Sequence, residues 1–178
     1  MGDTAPAPLT FREFIALVNP DYTISPYHEA LIDLLQRVGD GEPLHLALAL
    51  PWGITQLLAG YYVYRWPERW VATVGLLADI ADAHRRDARD FYRSAGGVVA
   101  HDSTHYRNWQ TQSGGGVWAS GAGGGISGRG FHLGIVWRSP NRGSLYEKSR
   151  WKDWFYSQIE TREMCGGAIV VVDEAVDV

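Results

Sequence analysis

Cysteine is almost missing from this chain. Cys165 is the single thiol in 178 residues, which excludes an intramolecular disulfide and a cysteine-based zinc site. Such usage fits a reducing compartment, and a cytoplasmic setting is expected. Long apolar runs are missing too: no stretch approaches the ~18–20 residues of a membrane span. Nor does charge of one sign dominate. Sixteen Lys and Arg stand against twenty Asp and Glu, a net −4, without the global positive footprint of a nucleic-acid binder. A local basic face stays open. The opening Met1–Leu9 stretch has neither a charged n-region nor an apolar h-region, so a flexible arm over residues 1–10 is expected in place of a signal peptide. His28, His45, His101, His105 and His132 show no metal-ligand spacing; His101 and His105 are four apart, but in a loop-like stretch. Ser127 and Ser144 sit in no nucleophile elbow, and Cys165 has no clear partner, which argues against covalent catalysis.

What is present suffices for one folded domain over residues 11–178. Hydrophobic residues make up 46% of the chain and charged residues 20%, ordinary values for a molecule with a real core. Eight Trp and nine Tyr serve as core and interface filler or as a stacking surface for bases.

Periodicity then divides the chain. Phe11, Phe14, Ile15 and Val18 fall at helical spacing, stopped by Asn19-Pro20. Ser25 can cap a second helix with Pro26 at its first position, running to Val38. After the turn at 39–43, Leu44 to Leu50 is unbroken and apolar apart from His45, the pattern of a strand buried on both faces. A helix is expected from about Thr55 to Arg65, a strand over Trp70–Gly75, and a long helix from Leu77 to Ala95. Residues 97–130 are glycine-rich, but Val117-Trp118-Ala119 and Phe131 to Trp137 read as strands around a glycine loop that approaches a ligand or partner. An amphipathic helix over Tyr146–Ile159 and a strand over Ala168–Val172 follow. Strands alternating with helices predict an α/β fold, a mainly parallel sheet with helices on both faces.

Two segments suggest chemistry. In Leu44 to Tyr64 a strand leads through Pro51-Trp52-Gly53 into a helix, the layout of a phosphate-binding loop. Such a loop points backbone N–H groups at phosphate oxygens, with Lys on the terminal phosphates and Ser or Thr on Mg²⁺. Gly53 and Thr55 suit those roles, but Ile54 stands at the Lys position. The same residues also read as a plain strand–turn–helix. In Ile169-Val-Val-Val-Asp-Glu174, four apolar residues precede Asp173, able to hold Mg²⁺ through water, and Glu174, able to polarise an attacking water. The plain alternative is a solvent-facing acidic strand end. Arg129, between two glycines, is placed to reach a phosphate or to sit on the surface.

From about Phe11 to Val172 the chain resembles the N-terminal ATPase region of a tailed-phage terminase large subunit, a P-loop NTPase. The resemblance is carried by Phe11-Arg-Glu-Phe14 with Tyr27-His28, by Gly41 to Leu58, and by Trp66-Pro67 with the Ala78–Arg89 helix. It extends through Gly121 to Leu133 with its Gly-Arg-Gly, Trp151 to Arg162, and Gly166 to Val172. It implies ATP and Mg²⁺ as cofactors and a DNA-packaging motor as the activity. It also implies double-stranded DNA, a portal protein and a small terminase subunit as partners, a homo-oligomeric ring, and the host cytoplasm as the setting. The family's nuclease domain is expected to lie outside this chain. Carried over by position, Gly53, Ile54, Thr55 and Arg129 are the nucleotide-binding candidates, Thr55 and Asp173 the metal candidates, and Glu174 the catalytic candidate. Ile54 departs from the Walker A Lys. Arg138 and Ser139, before Pro140, depart from the Walker B acids. Asp173 to Asp177 depart from the polar coupling motif. These departures fall on functional positions and spare the scaffold. Impaired or absent hydrolysis is therefore expected. The alternatives are a non-enzymatic module for protein or DNA contact, or an active ATPase using Asp173 and Glu174.

Overall fold

A computed structural model describes residues 8–174 apart from 52, 76, 123, 125, 127 and 138–144. The chain is anchored at its first helix, α1 (Phe11–Val18). Thr10 and Glu13 form a reciprocal capping box there, which satisfies two of the free N–H groups at the helix start. The Leu9 carbonyl accepts a bond from the Tyr61 hydroxyl (2.9 Å). The end of the expected arm is thus tied to the core, and residues 1–7 lie outside the described residues. A single 3-10 turn at Pro26–His28 opens onto α2 (Glu29–Gly39). Ser25 bonds the His28 ring (2.9 Å) and makes no side-chain cap to the helix backbone.

Then come β1 (His45–Leu50), α3 (Ile54–Arg65), β2 (Trp70–Gly75), α4 (Ala78–Ser94), β3 (Val99–Ser103), β4 (Asn108–Thr111), β5 (Gly116–Gly121) and β6 (Phe131–Trp137). Helix α5 (Leu145–Trp154) runs on through a π turn and a 3-10 turn into β7 (Glu163–Glu174). The strands form one sheet in the order β1-β7-β6-β2-β5-β4-β3. Pairing is parallel from β1 to β5 and antiparallel across β5-β4-β3. The fold is α/β with a mainly parallel sheet, as expected.

Two apolar layers sandwich that sheet, because alternate residues of a strand face opposite sides. On one side Val71, Leu133, Ile135, Val170 and Val172 pack with α3 (Leu57, Leu58, Tyr61), α4 (Ala88, Tyr92) and α1. On the other, Ala72, Val74, Trp118, Val136 and Ile169 pack with Ile159 and with Trp151, Trp154 and Phe155 of the α5 segment.

Two expectations are corrected. Strand β1 is not buried on both faces. It lies at the sheet edge and pairs with β7 alone among the described residues. His45, Ala47 and Ala49 are exposed, Leu46 and Leu48 half-buried, and Leu50 buried. Alanine is apolar but small, so the run reads as buried while only alternate residues reach the core. The second correction is the β3–β4 hairpin, which stands where a loop was expected. Trp109 and Thr111 alternate inward and are fully buried, with polar residues between. Glycine makes the next connection possible: a Cβ on Gly116 would collide with the Trp109 carbonyl.

The hairpin is held to α4 by a buried guanidinium. The Arg85 side chain is 0% exposed and bonds Asp82 (2.8 Å) and Asp102 (2.9 Å). Asp102 also pairs with Arg89, and the Trp109 indole donates to the Arg85 carbonyl (3.0 Å). Burial pushes the Asp102 carboxyl up, but the bonds from Arg85 and Arg89 outweigh it and hold it below the usual carboxylate range. A group depressed in the folded state contributes stability above its unfolded pKa and loses it as pH falls through the folded value. Asp102→Ala should therefore cost about 1–3 kcal/mol in urea unfolding at neutral pH, because it removes charge-assisted bonds to Arg85 and Arg89 and leaves the buried Arg85 with Asp82 as its carboxylate partner. The deficit relative to the unaltered chain should shrink below about pH 4.

Candidate functional site

The first crevice lies where β1 hands over to α3. Gly53 adopts φ +97°, a left-handed conformation that glycine takes without strain. It turns the chain from Leu50 into the first turn of α3. It is also the N-cap, with no side-chain cap; Ile54 N donates to the Pro51 carbonyl (3.4 Å), and the first helical bond runs from Leu57 N to the Gly53 carbonyl (3.1 Å). The Tyr22 ring closes one side of the turn, 3.4 Å from where a Gly53 Cβ would stand, and burial pushes the Tyr22 hydroxyl pKa up.

The side chains behind the turn are packed inward. Ile54, Thr55 and Gln56 are each 2% exposed, and Ile54 belongs to the core shared with Leu57 and Leu50. The Thr55 hydroxyl donates to Gln56 Oε1 (2.8 Å). Gln56 Nε2 has no hydrogen-bond partner among the described residues. The two lysines of the sequence, Lys148 and Lys152, are both on α5, whose aromatic residues pack on the opposite face of the sheet.

The register brings a second candidate segment to this turn. Asp173 lies opposite Ala49, and Glu174 opposite Leu50, so the backbone of the acidic pair ends beside the strand that enters the Gly53 turn. Gly53, Ile54, Thr55, Asp173 and Glu174 thus cluster at one corner of the sheet. Arg129 does not join them. Its guanidinium donates to the Tyr106 carbonyl (3.1 Å) and lies 5.9 Å from the Trp118 ring centre. Trp118 is on β5, four strand positions from β1, or roughly 19 Å at about 4.8 Å per spacing. The expectations for Arg138, Ser139 and Pro140 lie outside the described residues, as does Ser127. No group of three or more His, Cys, Asp or Glu able to hold a metal occurs among the described residues, and no described helix is long and apolar enough to cross a membrane.

Sequence reading missed His84. It shares the buried face of α4 with Ala81, Arg85 and Ala88, a helical spacing visible in the sequence. Its ring meets Trp137, the last residue of β6, edge-on at 4.0 Å between centres. It is 1% exposed, and burial pushes its pKa down to about 4.

The fold has a known counterpart. No protein-family model matches the sequence, and no curated protein matches it. Among solved structures it is similar to the large terminase of bacteriophage HK97, with a TM-score of 0.58 over 93% of this chain and 11% identity. This chain has the fold of part of a phage large terminase. It covers 38% of the length of the HK97 protein. The terminase-like frame is thus present at low sequence identity, which speaks for the fold alone.

A buried neutral histidine makes stability depend on pH. The unfolded chain takes up a proton near pH 6.5 and the folded chain only near pH 4, so stability is intact above the first value and is lost as pH falls towards the second. We expect a loss of about 3 kcal/mol between pH 6.5 and pH 4 from this group. His84→Gln should flatten that slope in urea melts taken across the range.

Proposed function

We propose that this chain is the ATPase-type module of a DNA-packaging motor subunit in which the nucleotide site has lost most of its charge. Ile54 carries the reading. A working phosphate loop needs a cation there for the terminal phosphates, and this position holds an aliphatic side chain that is part of the core. The turn geometry supports the reading, since Gly53 and an uncapped helix start remain. The terminase-like fold supports the wider setting: ATP and Mg²⁺ as ligands, and double-stranded DNA, a portal protein, a small terminase subunit and a ring of like subunits as partners. Under this reading the module contributes shape and contacts to an assembly and little turnover of its own.

One observation favours a second reading. The backbone of Asp173-Glu174 runs beside Ala49-Leu50 at the Gly53 turn, a placement from which carboxylates serve Mg²⁺ and the attacking water. The site would then be a partly rebuilt ATPase that lacks its Lys.

Charge-assisted contacts contribute about 1.5–3 kcal/mol each, and removing one charge-stabilising group from such a site commonly costs ~10²–10³ in rate. The unaltered chain should show no ATP hydrolysis above background in a phosphate-release assay. Ile54→Lys should give no turnover and should lower stability by about 2 kcal/mol or more, since it places an ammonium in a packed core. Turnover in Ile54→Lys that disappears on adding Glu174→Gln would establish the second reading and remove the first.

A further inference from the structure

A second crevice opens on the same edge of the sheet, at the other end from Gly53. In an open α/β sheet, ligands bind beyond the carboxyl ends of strands at points where neighbouring connections leave to opposite faces. Strands β2 and β5 meet this condition. The chain leaves β2 for α4, packed in the layer of Ala88 and Tyr92. It leaves β5 for a loop whose Ile126 is buried in the opposite layer. The space between is a cleft of about 500 Å³, lined by Leu77 and Ala78 at the start of α4, Tyr106 and Arg107 at the β3–β4 turn, and Ser120 and Arg129.

Its chemistry is that of an anion site: two arginines, Arg107 and Arg129, line it beside the start of α4. Helix α4 is 17 residues long and has no side-chain cap. Its first intrahelical bond runs from Ala81 N to the Leu77 carbonyl (3.2 Å), so the preceding N–H groups lack a helical partner. A Cβ on Gly121 would stand 3.0 Å from Ala78 N; glycine keeps that amide within reach.

Arg107 is the one non-glycine residue with positive φ among those described, at +47°, and such strain gathers at functional sites. Its carbonyl accepts a bond from Ala119 N (2.8 Å), which fixes the turn against β5. Its guanidinium makes one ion pair, to Asp79 (3.1 Å), a side chain 93% exposed. The Arg129 guanidinium spends one N–H on the Tyr106 carbonyl. At the rim, Tyr106 and Leu77 are 60% and 59% exposed, and both line the cleft with the two arginines.

We infer that this cleft binds a nucleotide unit, with its phosphate between Arg107, Arg129 and the start of α4 and its base against Tyr106. The inference is independent of what happens at Gly53. The phosphate can come from a free nucleotide or from a nucleic-acid strand.

The test is calorimetric titration of the full chain, without Mg²⁺, with inorganic tripolyphosphate, ATP and a short single-stranded thymidine oligonucleotide. Amide shifts in ¹⁵N-labelled protein would locate each ligand. Binding is expected, with shifts at Ala78–Ile80 and Ser120–Ala122. Arg107→Asn, which tolerates the left-handed backbone, and Arg129→Gln should each weaken binding about tenfold or more, and Arg107→Lys should recover part of the loss. Stronger binding of the oligonucleotide than of ATP assigns the strand; the reverse assigns the free nucleotide. Silence with all three probes, shifts confined to Ile54–Gln56, or unchanged affinity in both charge-removing variants would overturn the inference.

Discussion

Strand β7 is the constraint on which the sheet depends. It is the last strand among the described residues, yet it lies between β1 and β6 and pairs in parallel with both. Ala168, Ile169, Val170 and Val172 are almost fully buried, so backbone groups in this stretch rely on their neighbours for hydrogen bonds. The first strand has no other partner among the described residues. Until β7 arrives, β1 and the Gly53 turn have no sheet to belong to. A pairing between residues 45–50 and 169–174 closes a very long loop. Chain entropy makes such contacts slow to form, so the corner with the Gly53 turn should be completed late in folding.

The same strand order explains how charge is distributed along the ligand-facing edge. At the β1 end the chain presents Gly53 and inward-packed Ile54, Thr55 and Gln56, with the acidic stretch alongside. At the β5 end it presents Arg107 and Arg129 around the start of α4. The two ends are separated by three strands, farther than the roughly 8 Å over which exposed charges act at physiological salt. Each corner therefore sets its own electrostatics, and an overall net charge of −4 says little about either.

Local signals made most of the frame legible. Strand β2 and helix α1 occupy the residues that periodicity and turn chemistry assign them, because their apolar faces and stop signals are contiguous. The misreadings have long-range causes. The β3–β4 hairpin carries His101, Asp102 and Ser103 where a strand signal would need apolar residues. Its burial depends on an ion pair between Asp102 and Arg85, 17 positions away, which no window of sequence displays. The run from Leu44 to Leu50 does not reveal that β1 is an edge strand, because apolarity is local but membership of an edge is a property of the whole sheet. The site divides the same way. Gly53 to Thr55 could be read as a turn into a helix, and the pairing of Asp173 and Glu174 with Ala49 and Leu50 could not. Arg129, flanked by glycines, suggested a phosphate contact, but its separation from Gly53 appears only once strand order is known.

The exposed side of β1 has a consequence for solution behaviour. An edge strand offers unpaired N–H and C=O groups to any extended segment that approaches. Here the outward side chains between His45 and Leu50 are alanines, too small to obstruct a partner. The polar pair of His45 with Glu163 (2.8 Å) guards only the beginning of the strand. Self-association should therefore grow with protein concentration through β1, and a lysine in place of Ala47 would act as a gatekeeper there without touching the core.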